Sequence, residues 1–226
     1  LVVHAGAFGA VARRLLKAAL SIWGGGEQRC RVLAFLLVRR AVLALPVAFV
    51  DLSLKGAYLT YVRHTKFVHA QAREVVEFLC NCVVELFATA PPAPAYQHAF
   101  VYVRQLAIHV RAASQVRDKN AVRQVYNWQF VNALRVWCGV AARLAGDADM
   151  RHLVFPLAQL VLATVRLQPA ARDLPLRFHL VRMLNTLAGA ARVYVAVAPL
   201  LLEALQAVEV SAARARAAAA DARARQ

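Results

Sequence analysis

The sequence predicts an all-α fold, and three observations carry that prediction. Apolar residues recur at i, i+3, i+4 and i+7 in nearly every segment, and no stretch alternates convincingly as a strand would. Glycine and proline clusters punctuate the chain and leave about nine or ten helices of roughly 12–25 residues. The connectors between them are short, which favours antiparallel neighbours. Stacked in order, such pairs build an α-solenoid of the HEAT or armadillo kind. Exact repeats are not evident, so periodicity alone leaves a globular bundle open as well.

Taken in order, Val2 to Ile22 reads as a helix rich in Ala and Leu, ended by Gly24-Gly25-Gly26. Glycine reaches the left-handed conformations that often close helices. Glu27 to Leu45 is a second helix, with Arg29, Arg31, Arg39 and Arg40 on its exposed side and Pro46 as its breaker. Val47 to Tyr61 is a third, followed by TKFVHAQ as a loop or helix start. Ala70 to Phe87 repeats Val75, Phe78, Leu79, Cys82 and Leu86 at helical spacing. Thr89 to Ala95 contains APPAPA and is expected as a firm connector.

The next helix runs from Tyr96 past Arg111. Ala99, Tyr102, Val103, Leu106, Val110 and Ala113 form a stripe for the core, while Gln97, Arg104, Arg111 and Gln115 face outward. Asp118 and Asn120 bring turn and cap chemistry, and one helix of about 25 residues is expected up to Leu144. Gly146-Asp147 ends it. Met150 to Leu167 follows, with a kink or late start at Pro156. Gln168-Pro169 is a connector, and Leu176 to Ala191 carries Leu176, Leu180, Leu184 and Leu187 as its stripe. Pro199 suits the first turn of Leu200 to Val208. Ser211 to Gln226 is almost wholly Ala and Arg and is expected as a frayed or protruding basic helix with little to bury. The expected organisation is a helical domain over 1–210, with 89–95 as the candidate internal boundary, and a basic segment over 211–226.

The chain has 226 residues, 61% of them hydrophobic, enough for a sizeable core. It begins with Leu1 rather than Met and is read as a fragment or a processed form. The longest run free of Asp, Glu, Lys and Arg, Leu86 to Val103, holds three prolines, and His152 to Val165 is too short to span a bilayer. A membrane is therefore not an expected partner. Net charge is +16, from 28 Lys+Arg against 12 Asp+Glu, spread along the chain, and favours polyanionic partners. Cys30, Cys80, Cys82 and Cys138 lack the spacing of a zinc site or a disulfide scaffold. They are expected as reduced, mostly buried thiols in a reducing compartment such as cytosol or nucleus.

No catalytic set is legible. Glu74 and Glu77 read as solvated first-turn acids, and no serine lies in a nucleophile elbow. Neither a GxxxxGK[ST] loop nor a GxGxxG is present. His98 and His109 return to nearly one helix face but lie about 16 Å apart along the axis, too far for one ion. No enzyme, cofactor or metal is therefore expected. Two kinds of candidate remain. Asn127, Trp128 and Gln129 form a polar–aromatic–polar cluster that can pin one helix to the next or meet a partner protein. Arg104 and Arg111 share a helix face, and Arg177 and Arg182 are five residues apart. Arginine forks suit phosphate and carboxylate. With no RNA-binding module visible, RNA contact would follow the backbone and depend on salt.

Several long blocks resemble the nucleolar complex protein 2 family: AYQHAFVYVRQLAIHVR from Ala95, VYNWQFVNALRVW from Val125, PLRFHLVRMLNTL from Pro175 and VAPLLLEAL from Val197. YVRHTKF, from Tyr61, resembles it less closely. The resemblance implies a helical-repeat scaffold in assembly of the large ribosomal subunit. It further implies complexes with the first and third nucleolar complex proteins, association with pre-ribosomal particles and ribosomal RNA precursors, and residence in nucleolus and nucleoplasm. The candidate partner- or RNA-binding residues are Gln97, Arg104, Arg111, Asn127, Trp128, Gln129, Arg177 and Arg182. The alternative is a nuclear transport or peptide-binding adaptor solenoid.

Overall fold

Helices account for nearly all of the computed structural model, which describes residues 8–66, 73–116, 119–167, 173–206 and 208–209. They are α1 (Gly9–Gly25), α2 (Gln28–Ala44), α3 (Val47–His64), α4 (Arg73–Thr89), α5 (Pro92–Val116), α6 (Lys119–Val125), α7 (Trp128–Arg143), α8 (Ala148–Arg151), α9 (Val154–Leu167) and α10 (Leu174–Ala191). Residues 198–206 are also helical and are called α11. No strand occurs among the described residues. The Ala/Arg segment 211–226, the start of the helix expected from Val2, most of TKFVHAQ, Asp118 and the Gln168-Pro169 connector lie outside them.

Neighbour relations sort the long helices into two rows. In one, α1 packs on α3, α3 on α5 and α5 on α9; in the other, α2 packs on α4, α4 on α7 and α7 on α10. The pairs α1/α2, α3/α4, α5/α7 and α9/α10 join the rows. A helix between neighbours on several sides must be apolar nearly all round. α7 is that helix: it touches α3, α4, α5, α9 and α10 and buries ten residues from Phe130 to Ala141. Around Trp137 of α7 gather Tyr58 of α3, Tyr102 of α5 and Phe87 of α4, with ring centroids 4.8, 5.6 and 5.1 Å away. Tyr58 and Tyr102 also meet at 4.2 Å. Each such pair contributes about 0.5–1.5 kcal/mol beyond area burial. Burial pushes the Tyr58 phenol up to about 12, so it stays neutral.

The stripe of α5 read from the sequence is buried throughout, as is that of α10. Two boundaries differ from those expected, and at two more the structure supplies the detail. The expected connector over 89–95 shrinks to Ala90-Pro91, because Pro92 and Pro94 occupy the first turn of α5. There the amide a proline lacks would have no intrahelical partner in any case. The expected helix of about 25 residues is two, α6 and α7, broken at Tyr126-Asn127. Of the two alternatives at Pro156, the late start holds: α8 is a four-residue turn capped by Asp147, and α9 begins at Val154. Gly24–Gly26 end α1 without left-handed backbone; Gly26 is extended, at φ −78°. What Gly24 supplies is closeness, since a Cβ there would lie 2.6 Å from both His64 and Thr60 of α3.

Ala148–Leu167, taken as one stretch, is long and apolar enough to cross a membrane by length and composition, which the shorter charge-free run His152 to Val165 did not suggest. Half of its most apolar window is buried, and α9 packs on α5, α7 and α10. That is the behaviour of a core helix.

Candidate functional site

α7 is placed by its own first residues. Asn127 lies just before the helix in extended backbone, and its side-chain oxygen accepts from the Phe130 amide at 2.9 Å. Its Nδ2 donates to the carbonyls of Arg123 and Gln124, at 3.0 and 2.7 Å, at the end of α6. One amide thus closes one helix and opens the next, satisfying groups that helix ends leave unpaired. Gln129 reaches the other way, donating from Nε2 to Val62 O at 3.2 Å. Asn132, buried in α7, donates to Thr65 O at 3.4 Å, and the Tyr61 hydroxyl donates back to Asn132 O at 3.1 Å. The carbonyl end of α3 is therefore capped by side chains about 67 positions later. Of the two roles open to the Asn127–Gln129 cluster, the structure places Asn127 and Gln129 in helix pinning.

Trp128 turns the opposite way, into a cleft of about 540 Å³ formed by α4, α7 and α10. Its indole meets the ring of His179 edge to face, with centroids 5.3 Å apart. Val76, Val84, Val131 and Met183 contribute apolar lining, and Asn81 and Thr186 contribute polar groups. Three arginines from three helices line it as well: Arg73 of α4, Arg135 of α7 and Arg182 of α10. Glu77 answers one of them, pairing with Arg135 at 3.2 Å. His179 senses the excess: burial, then Arg135, Arg73 and Arg182, lower its pKa and favour the neutral ring.

Trp128 and Arg182 are thus brought together, with Arg73 and Arg135 that the sequence reading had not singled out. Arg135 stands inside VYNWQFVNALRVW, so its helix was in view; its convergence with Arg73 is purely tertiary. Gln97, Arg104 and Arg111 lie elsewhere, exposed on the outer face of α5. Phe100, Val101 and Ile108 stand among them, each about half exposed. Arg177 is on neither surface. Its side chain is 4% exposed and bonds Glu203 Oε2 of α11 at 3.0 Å. Residues 177, 180, 181 and 184 share one helix face, so Arg177 follows the apolar stripe inward.

Chemistry elsewhere is subdued. His98 bonds Asp51 of α3 at 3.1 Å, an interhelix link of the kind expected for it. Cys80, Cys82 and Cys138 are buried free thiols, and burial raises the pKa of each, Cys82 to about 11. Cys30 is free and exposed. Among the described residues, no three His, Cys, Asp or Glu side chains gather as metal ligands would.

The blocks quoted from the sequence meet one another in space. Tyr61, Val62 and Thr65 contact Gln129 and Asn132; Tyr102 stacks on Trp137; Trp128 meets His179; Arg177 holds Glu203. Comparison with known proteins agrees with that continuity. A family model described as the Noc2p family matches residues 48–224. The chain is 39% identical over 209 residues to "Nucleolar complex-associated protein 2" of Arabidopsis thaliana, covering 92% of this chain and 27% of that protein. It is 37% identical over 199 residues to "Nucleolar complex protein 2" of Drosophila melanogaster, covering 88% and 26%. It is 31% identical over 203 residues to "Nucleolar complex protein 2 homolog" of Caenorhabditis briggsae, covering 88% and 28%. The chain thus spans about a quarter of the length of these relatives.

Proposed function

The chain belongs to the Noc2p family, and from that premise we propose that it is part of a nucleolar, non-enzymatic scaffold for assembly of the large ribosomal subunit. The match over residues 48–224 to proteins named for the nucleolar complex carries this reading. Its partners are other nucleolar complex proteins, of the first and third kinds, together with pre-ribosomal particles and their RNA, in nucleolus and nucleoplasm.

The two helix rows act as a HEAT/armadillo-like solenoid. Rigid stacked helices hold separate faces at fixed spacing, and binding rather than turnover does the work. The acids fit that role: Glu77, Glu85 and Glu203 are in ion pairs with arginines, Asp51 is hydrogen-bonded to His98, and Asp147 is a helix cap. The outer face of α5 is the protein-facing surface. It sets Phe100, Val101 and Ile108 among Arg104, Arg111 and Gln97, an apolar strip with cationic flanks that suits an acidic amphipathic helix. The cleft of α4, α7 and α10 is the anion-facing surface.

Affinity purification of the tagged full-length protein, with and without RNase, tests the proposal. Large-subunit precursors and other nucleolar complex proteins are expected, the protein pair surviving RNase. An Ile108→Asp variant should lose the protein partner while keeping wild-type helicity and Tm. Recovery of transport cargo without ribosomal precursors would favour an adaptor and overturn the scaffold.

A further inference from the structure

We propose that the cleft between α4, α7 and α10 seats one unpaired nucleotide of single-stranded RNA, its phosphate on Arg73 and Arg182 and its base against the apolar wall beside Trp128. The proposal rests on the reading that the chain works on pre-ribosomal RNA, and adds the site and the strandedness of the RNA.

Two needs of a nucleotide are met in one place. A phosphodiester wants guanidinium forks, and the cleft lining holds three arginines against the single Glu77. Arg135 already spends its charge on Glu77, which leaves Arg73 and Arg182, both exposed, for phosphate oxygens. A base wants an apolar surface, and the half-buried Trp128 and Val84 provide one. Asn81 and Thr186 stand in the same lining to meet the base edge. The volume, about 540 Å³, falls in the range of cavities that bury a small ligand. A carboxylate side chain from an acidic protein segment would use the charge but leave the aromatic and apolar wall unfilled. A duplex keeps its bases stacked inside and could offer only its backbone to the mouth.

The test uses the full chain and a short fluorescein-labelled single-stranded oligouridylate, read by polarisation across a salt series. Wild type is expected to bind with a clear salt slope. Arg73→Gln/Arg182→Gln, both on the surface, should weaken binding about tenfold or more and flatten the slope of log K against log salt by about 0.7, the share of the one phosphate they hold. Arg104→Gln/Arg111→Gln on α5 should change neither. Tryptophan fluorescence should be quenched by the oligonucleotide through Trp128, since Trp23 and Trp137 are each only 1% exposed. A cleft variant that binds like wild type, with the loss appearing in the α5 variant, overturns the site and leaves RNA binding standing. Absence of RNA binding by wild type overturns the RNA reading itself. A poly-glutamate peptide that displaces the RNA at equal charge and concentration, and binds without quenching, overturns the nucleotide in favour of an acidic protein segment.

Discussion

The side-chain amide of Gln129 donates to the main-chain carbonyl of Val62 at 3.2 Å, joining the start of α7 to the end of α3. Next to it, Asn127 closes α6 and opens α7 with a single amide group. The break between α6 and α7 is therefore a designed joint, and it aims Trp128 into the cleft while its neighbours hold the backbone.

Asn127→Ala should destabilise the protein by about 1–2 kcal/mol, the usual cost of losing a cap. Asn127→Asp should recover only the part owed to the Phe130 amide, because a carboxylate still accepts there but cannot donate to the carbonyls of Arg123 and Gln124. Urea unfolding followed by circular dichroism measures both. Equal losses for Ala and Asp would move the effect from the Phe130 bond to those with Arg123 and Gln124.

Two glycines make opposite predictions. A methyl group at Gly24 would sit 2.6 Å from His64 and Thr60, whereas Gly189 has nothing within 4 Å. In a helix Ala is better than Gly by about 1 kcal/mol, while overpacking costs about 1–3 kcal/mol. Gly24→Ala should therefore lower Tm and Gly189→Ala raise it.

Those positions also show what could be read from the sequence. The stripes of α5 and α10 were legible because burial at helical spacing is a local pattern. Gly24–Gly26 and Pro46 marked real ends. Pro92 and Pro94 misled because a helix start tolerates proline, and Asn127 because one cap residue can interrupt an otherwise continuous apolar period. Arg177 looked like a surface cation by type, yet its position on the stripe of Leu180 and Leu184 placed it inside. Half of the cleft was in view, as Trp128 and Arg182. Arg73 and Arg135 were not, because nothing local relates residues on different helices of one row.

His179 gives stability a pH dependence of fixed sign. Its folded pKa lies below the ordinary value of 6.5, so between the two the unfolded chain binds more protons. Stability from this residue is full above 6.5 and falls as pH drops from there toward the folded pKa. The groups facing the ring are Arg73 and Glu77 on α4, Arg135 on α7 and Arg182 on its own helix. Removing positive charge, as in Arg182→Gln, should raise the His179 pKa, read from its imidazole proton shifts. An unchanged value would detach His179 from the arginines.

Thiol chemistry should separate by burial. Cys30 is expected to react rapidly with iodoacetamide in native protein, while Cys80, Cys82 and Cys138 react only on unfolding. Mass spectrometry of the alkylated peptides distinguishes them. Labelling of Cys138 at the rate of Cys30 would mean that α7 is not the central helix of the fold.

The most direct test of the scaffold is sedimentation of the tagged full-length protein from nuclear extract on a sucrose gradient, with each fraction probed for ribosomal RNA precursors. The protein is expected to travel with large-subunit precursors at low salt and to leave them as salt rises or RNase is added, still bound to its helical partner. A protein that stays at the top of the gradient at every salt concentration, apart from any precursor, would contradict it.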